Sequence, residues 1–364
     1  MKLSVGVLVC ILALLVIPRP VHASGLRSDK TQTPQPSAER VMFADSTGRQ
    51  VEVPSKITKI SASGSLAQTF LLAIAPDLLC TITAPFPQSE AEFLPEYVLK
   101  LPVVGQFYGA ANLNLEEIAA IGPELVIDIG EPKNTASEDM EGITKAVGIP
   151  ALHITGTLNS TADAFRTLGR LLGRQEKGEA LARYCEKNLE IIDQIMAQVG
   201  DNKKSVLYCL GKQGQNVLAF GSFHAEVVDR LADNQAVVAN PTSRGTGNET
   251  NMEQLLLWDP EVILFGYDSV FGTVGTDPAW RQMRAIRNGA YFEVPLGPYN
   301  WMGAPPSINR YLGMLWMVKL LYPEYAQFDL YTEAAEYYRL FYSHDLSQER
   351  FNALIANSIG RSGL

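Results

Sequence analysis

Two stretches of this chain, one in each half, read almost alike. The first is Asn114-Leu-Glu-Glu-Ile-Ala-Ala-Ile-Gly-Pro-Glu-Leu-Val-Ile-Asp128, and the second is Asn251-Met-Glu-Gln-Leu-Leu-Leu-Trp-Asp-Pro-Glu-Val-Ile-Leu-Phe265. Each opens on asparagine, whose side chain caps a helix by accepting from a backbone N–H two or three residues on. A short amphipathic run follows, then a Pro-Glu stop, then an apolar run of strand length. The copies lie about one domain's length apart. A unit used once per half predicts two similar lobes, and two lobes imply a cleft between them.

The surrounding pattern agrees. Asp45 to Pro54 reads as a hairpin around a Thr-Gly turn, and structure is expected to begin at Val41. Ile57–Ser61, Leu79–Thr83, Leu125–Ile129, Ser205–Leu210 and Val262–Phe265 are strand-like runs. Ser65–Ile74, Ala225–Leu231 and a long segment from about Ser307 to Leu321 read as helices, the last one preceded by Pro305-Pro306. Glu333–Ile359 reads as helical and aromatic. Strands alternating with helices predict parallel sheets. Between the halves, Leu181, Tyr184, Cys185, Leu189, Ile192, Ile195, Met196 and Val199 recur at three- and four-residue steps. That spacing predicts one amphipathic helix over 179–199. The expected fold is therefore α/β, with two similar lobes of mostly parallel sheet joined by one long helix. Its boundaries are an N-terminal lobe at 41–178, the connector at 179–199 and a C-terminal lobe at 200–364.

The N-terminus reads as a targeting segment. Lys2 precedes an apolar run from Leu3 to Ile17, too short to span a bilayer comfortably, and Val21-His22-Ala23 supplies small residues for cleavage after Ala23. A signal peptide at 1–23 is expected, with a retained anchor as the alternative. Residues 24–40 are rich in Ser, Thr, Gln and Pro and read as a disordered tether. Export then places the protein in a periplasm.

The formal charge of −9 and a pI near 5.1 exclude nucleic acid as an expected partner. Cys80, Cys185 and Cys209 remain after cleavage, an odd number that forbids full pairing. They read as buried thiols, with a Cys185–Cys209 bridge left open. His153, His224 and His344 stand alone, without the spacing of a bare-ion site. His224-Ala-Glu226 lacks the Cys pair of a zinc deaminase, and Gly245-Thr-Gly-Asn-Glu-Thr is no dinucleotide fingerprint. With no nucleophile elbow or P-loop, binding is expected rather than catalysis, with no resident cofactor or metal.

Loops after strands are where α/β sheets place ligands. Phe86, Phe107, Tyr108, Tyr267, Tyr299 and Trp301 fall in such loops, and aromatic faces suit planar or catecholate ligands. Each could equally plug a lobe's core. Glu116 and Glu253 occupy matching places in the repeated unit. In a first helical turn, such acids also favour the helix dipole with no partner at all.

Four features together resemble the periplasmic substrate-binding proteins of ABC importers for ferric siderophores, haem and cobalamin. They are the Asp45…Gly-Arg-Gln-Val-Glu-Val-Pro54 opening, the Asn114…Pro-Glu-Leu-Val-Ile segment, the long helix near 179–199, and Tyr299-Asn-Trp-Met-Gly-Ala-Pro-Pro-Ser-Ile-Asn-Arg310. The match runs through roughly residues 41–325. The resemblance implies a bilobal receptor with small closure and a ligand between the lobes. It implies that Glu116 and Glu253 engage arginines of an ABC permease dimer in the inner membrane. It also implies that Arg310, and more weakly Arg244, faces an anionic ligand. The expected ligand is a small-molecule metal complex that carries its own metal, with a ferric siderophore first. Cobalamin, haem or a nickel or cobalt chelate are the alternatives. The protein is expected to act as a monomer. An exported enzyme or sensor domain using the same cleft is the competing class.

Overall fold

The computed structural model describes residues 39–107, 113–242, 245–267, 269–303 and 306–359. The expected signal peptide and nearly all of the tether lie outside them, as do Tyr108 and Arg244. The first half runs β1 (Arg40–Ala44), β2 (Gln50–Pro54), β3 (Ile60–Ala62), α1 (Ser65–Ile74), α2 (Gln88–Ala91), α3 (Glu96–Leu99), α4 (Leu115–Ile121), β4 (Leu125–Gly130), α5 (Ala136–Val147), β5 (Ala151–Thr155) and α6 (Thr161–Leu171). The long helix α7 (Gln175–Val199) follows. The second half runs β6 (Ser205–Leu210), β7 (Asn216–Val217), α8 (Glu226–Leu231), β8 (Asp233–Asn234), β9 (Asn248–Glu249), α9 (Met252–Trp258), β10 (Val262–Phe265), α10 (Phe271–Val274), α11 (Arg284–Arg287) and β11 (Tyr291–Glu293). It ends with α12 (Arg310–Leu321), α13 (Leu330–Tyr342) and α14 (Gln348–Leu354).

Strands β3, β4 and β5 form one parallel sheet, and β6, β8, β10 and β11 form the parallel part of another. Side chains alternate across each sheet, so each strand feeds two cores. Leu125, Ile127, Ile129, Leu152 and Ile154 point inward, as do Val206, Tyr208, Leu210, Val262 and Leu264. All ten belong to a single buried cluster that passes through Leu181, Cys185 and Ile192 of α7. The intervening residues face outward into separate cores. Val126 and Ala151 meet Met140 and Ile143 of α5, while Leu207, Cys209, Ile263 and Phe265 meet Leu255 and Trp280. The two lobes are therefore fused along their inner faces.

The repeated unit folds as its spelling predicts. Asn114 Oδ1 accepts from Glu117 N at 3.1 Å, and Asn251 Oδ1 accepts from Gln254 N at 2.9 Å. Both seven-residue helices stop on a left-handed residue, Gly122 at φ 62° in α4 and Asp259 at φ 33° in α9. Asp259 holds that unfavourable conformation through Arg284, whose backbone N donates to Oδ1 and whose Nε donates to the carbonyl, each at 2.7 Å.

Other elements differ from expectation. The connector starts at Gln175, four residues earlier than its apolar spacing indicates. Leu79–Thr83 makes only single-residue bridges, Ile60 to Leu79 and Ile82 to Val103, rather than a strand. Helix α12 starts at Arg310 because Ser307 and Asn309 make a polar turn in front of it. There Ser307 Oγ donates to Asn300 O and accepts from Asn309 N, both at 3.1 Å. The segment expected as one helix over 333–359 splits at Ser343, which sits at φ 53°. All three thiols are unpaired, so no Cys185–Cys209 bridge forms. No helix among the described residues is long and apolar enough to cross a membrane.

The C-terminal helices return to the first half. Phe341 packs edge-on against Phe165 with ring centroids 5.9 Å apart, and Tyr338 lies 5.1 Å from Phe93. Arg350 pairs with Glu92, and its guanidinium covers the Phe93 ring. Inside this seam lies Glu90, 8% exposed and without a cation or donor partner among the described residues. Burial pushes its carboxyl up to about 7.

Two predictions follow from the packing. Gly313 runs beneath the Trp301 carbonyl so closely that an added Cβ would lie 1.8 Å from its oxygen. Gly313→Ala is expected to cost about 3 kcal/mol or more in urea unfolding, whereas Asn251→Ala loses only a cap at about 1 kcal/mol. For Glu90, the folded-state value lies above the unfolded one. The protonated acid therefore contributes fully below about pH 4.5, and the contribution is lost as pH rises through about 7. Glu90→Gln is expected to match the parent near pH 4.5 and exceed it by roughly 3 kcal/mol at pH 8. Parallel stability curves over that range would refute the assignment.

Candidate ligand-binding site

The carboxyl ends of β4 and β5 lead into loops that meet the second half across the seam, where the chain between β7 and α8 runs back toward the amino end of β6. The loop after β4 begins Glu131-Pro132, and β5 ends into Gly156-Thr157-Leu158-Asn159. Opposite them stand Gly221, Ser222 and Phe223, with Glu226, Asp229 and Arg230 of α8. Together these two walls enclose a groove of about 530 Å³. That volume falls within the usual range for small-molecule sites, and in the first lobe its position is the one such sheets favour. Three carboxylates and one guanidinium give the groove a polar lining. Burial raises the Glu226 carboxyl, which Arg310 opposes, and burial likewise raises that of Asp229. A second cavity of about 240 Å³ lies beyond the ends of β10 and β11, between Tyr267, Pro295, Leu296 and α14.

The expected site residues fare differently. Phe86 and Tyr299 come together edge-to-face at 5.6 Å, from opposite halves of the chain. The Tyr299 hydroxyl accepts from Gln68 Nε2 at 2.7 Å, and Gln68 Oε1 accepts from Thr83 N at 2.7 Å, so α1 holds the pair in place. Phe107 is half-buried against the outer core of the first lobe, with its N–H bonded to Ser63 O at 2.8 Å. Tyr267 is 55% exposed and faces the second cavity. Trp301, expected to meet ligand, is fully buried beneath α12 and presents no surface to the groove. Its loop folds inward because Asn300 Oδ1 accepts from Met302 N at 2.8 Å and from the Tyr208 hydroxyl at 3.2 Å.

Arg310, expected to face an anionic ligand, is 2% exposed. Its Nη1 donates to Glu226 Oε2 at 2.7 Å, its Nη2 donates to Gly156 O at 2.6 Å, and its plane covers Phe223. Only Nε lacks an acceptor among the described residues. The charge is already met inside the protein, so Arg310 lies behind the groove wall rather than on it. Gly303 closes the floor nearby, accepting from His224 Nδ1 at 2.7 Å. A Cβ at Gly303 would sit 1.8 Å from the His224 carbonyl oxygen.

Sequence reasoning missed the residues that line the groove. Glu131, Thr157 and Asn159 directly follow strands, and that position was the available signal. Phe223, Glu226 and Arg230 carry no such mark, because the irregular stretch between β7 and α8 brings them in.

A Ser, an Asp and a His also meet behind the first sheet, where Ser63 Oγ donates to Asp128 Oδ1 and Asp128 Oδ2 bonds His153 Nδ1 at 2.7 Å. The carboxylate stands in the middle. Ser63 therefore has no bond to the imidazole, which a nucleophile–base pair requires. The network is structural: it crosses three strands, and Asp45 Oδ2 of the hairpin accepts from His153 N at 3.3 Å.

Glu116 and Glu253 are both exposed and make no ion pair among the described residues. Their helices start at the carboxyl-end edge of each sheet. Asn114 N donates to Val104 O, just beyond the bridge at Val103, and Thr250 N donates to Gln215 O beside β7, which pairs with the end of β6.

Residues 87–295 match the periplasmic binding protein family. No curated protein matches the chain. Among solved structures, the ABC transporter solute binding protein of Sulfurospirillum deleyianum is 26% identical, covering 86% of this chain and 99% of its own, with a TM-score of 0.79. The molybdate-bound MolA of Haemophilus influenzae is 17% identical over 84% of this chain and 99% of its own, with a TM-score of 0.69. The nickel–histidine complex of Helicobacter pylori CeuE is 18% identical over 87% and 99%, with a TM-score of 0.63. At such identities the last two speak for the fold alone. The family match spans more than half of the sequence, both repeated units included, and the chain belongs to the periplasmic binding protein family.

Proposed function

We propose that this protein is an exported receptor that captures a small metal chelate between its lobes and hands it to an ABC permease. The observation that carries this reading is the 530 Å³ groove between the carboxyl ends of β4 and β5 and the stretch from β7 to α8, walled by both halves of the chain. Its volume suits a ligand of chelate size. The mixed lining of Glu131, Glu226, Asp229 and Arg230 beside Phe223 suits a ligand with both polar and apolar faces. A ferric siderophore is the first choice. Phe223 is the aromatic that lines the groove among the described residues, while Phe86, Phe107, Tyr267 and Tyr299, with Tyr108 and Arg244, are candidates outside that lining. The solved relatives hold molybdate in one case and nickel–histidine in another, so the scaffold does not choose the ligand. Cobalamin, haem and nickel or cobalt chelates remain the alternatives.

Glu116 and Glu253 are the proposed contacts to the permease, one carboxylate per lobe at the carboxyl-end edge of its sheet. Exposed charges of this kind steer docking and fix orientation more than they add affinity. Export through a signal peptide cleaved after Ala23 would release a monomer into the periplasm.

Two measurements test this. Tryptophan quenching of the mature protein against ferric catecholate and hydroxamate complexes, nickel–histidine, cobalamin and haem is expected to saturate with a ferric chelate. No response to any of them would refute the ligand class. Reversing both charges, Glu116→Lys with Glu253→Lys, is expected to leave chelate affinity within about twofold while abolishing uptake in cells that express the cognate permease. Undiminished uptake would remove the docking role.

A further inference from the structure

We propose that Arg310 is a positioning residue for capture: paired with the groove-lining Glu226, it sets how far the groove opens without itself touching ligand. The proposal rests on the groove being the ligand site.

Four side chains of the second half converge on residues 156–159 of the first. Arg310 reaches Gly156 O at 2.6 Å, and Glu226 Oε1 accepts from Leu158 N at 3.4 Å. The Tyr311 hydroxyl donates to Leu158 O at 2.5 Å, and Arg230 Nη1 donates to Asn159 Oδ1 at 3.1 Å. Arg230 is itself held by Asp193 of α7 at 2.5 Å. The four-residue turn after β5 is thereby bound to α8, α12 and the connector at once.

Arg310 and Glu226 form the centre of this knot. Their 2.7 Å ion pair lies under Phe223, and each partner also bonds backbone of the opposite half. Leu158, Asn159, Phe223, Glu226 and Arg230 line the groove, whereas Arg310 does not. The pair therefore fixes the distance between the two walls from behind. Without Arg310, the Glu226 carboxylate would be left partly buried near Glu131 with its cation gone. An uncompensated buried charge draws in water and disfavours the closed arrangement.

The test uses the mature chain with spin labels on E141C in α5 and R281C on the outer side of the second lobe, in a C80S background. Pulsed-EPR distances are measured without ligand, and stopped-flow dissociation is followed for a ferric catecholate complex. Arg310→Gln is expected to lengthen and broaden the interlobe distance. It is also expected to speed dissociation at least about tenfold. The double variant Arg310→Gln with Glu226→Gln leaves neither charge buried alone, and its distances are expected to return toward the parent. Arg310→Lys keeps the charge but cannot span both acceptors, so it should fall between them; it supplies the reading if Arg310→Gln does not fold. A parental distance distribution in Arg310→Gln, with or without lost affinity, would overturn the proposal, and lost affinity at an unchanged distance would make Arg310 a ligand contact. If the parent binds no probe, the ligand reading fails, yet the distances still decide whether the pair sets the lobes.

Discussion

The structure depends on one apolar surface shared by two sheets. Every second residue of β4, β5, β6 and β10 enters the same buried cluster, and α7 runs through it. Parallel strands are stable only when both faces are covered. Here the outer faces are covered locally, by α5 in the first lobe and by the α9 region in the second. The inner faces cover each other through the connector and the C-terminal helices. Lobes fused in this way can flex, but they cannot swing apart without exposing that surface to water, at about 25 cal/mol for each Å².

A continuous seam also dictates where charge can sit. Polar groups drawn into it must be matched there, since an unpaired buried ion costs several kcal/mol. Arg310 meets this demand with two bonds and Arg230 with two, both reaching across the halves. Glu90 has no such match, and burial keeps its carboxyl protonated to higher pH instead. At the rim of the seam the ends of β4 and β5 leave polar loops and α8 supplies carboxylates. The helix starts that carry Glu116 and Glu253 stand at the carboxyl-end edges of their sheets.

What the sequence made legible was local. Asn114 and Asn251 cap the helices they precede because the cap is decided within four residues. Ser65–Ile74 and Ser205–Leu210 coincide with α1 and β6 because their patterning is uninterrupted. What stayed hidden was decided at a distance. Trp301 and Tyr299 sit two residues apart in one loop, yet one is fully buried while the other meets Phe86 from the far half. Nothing in the spelling of that loop separates them, since the difference comes from Gly313 passing beneath it. Arg310 likewise looked available because its partner, Glu226, lies 84 residues away. The groove itself is built by the irregular run from Gly221 to Phe223, which has no periodicity to read.

The return of α13 and α14 to the first half has a consequence for how the chain comes into being. Phe165 of α6, Phe93 and the loop holding Glu92 find their partners beyond residue 337. A nascent chain that has made only its first lobe lacks the surfaces that complete that lobe's core. It therefore has no finished native half to lock in early, as independent domains do when they fold one by one during synthesis. The core of the first lobe is complete only once α13 and α14 have packed against it.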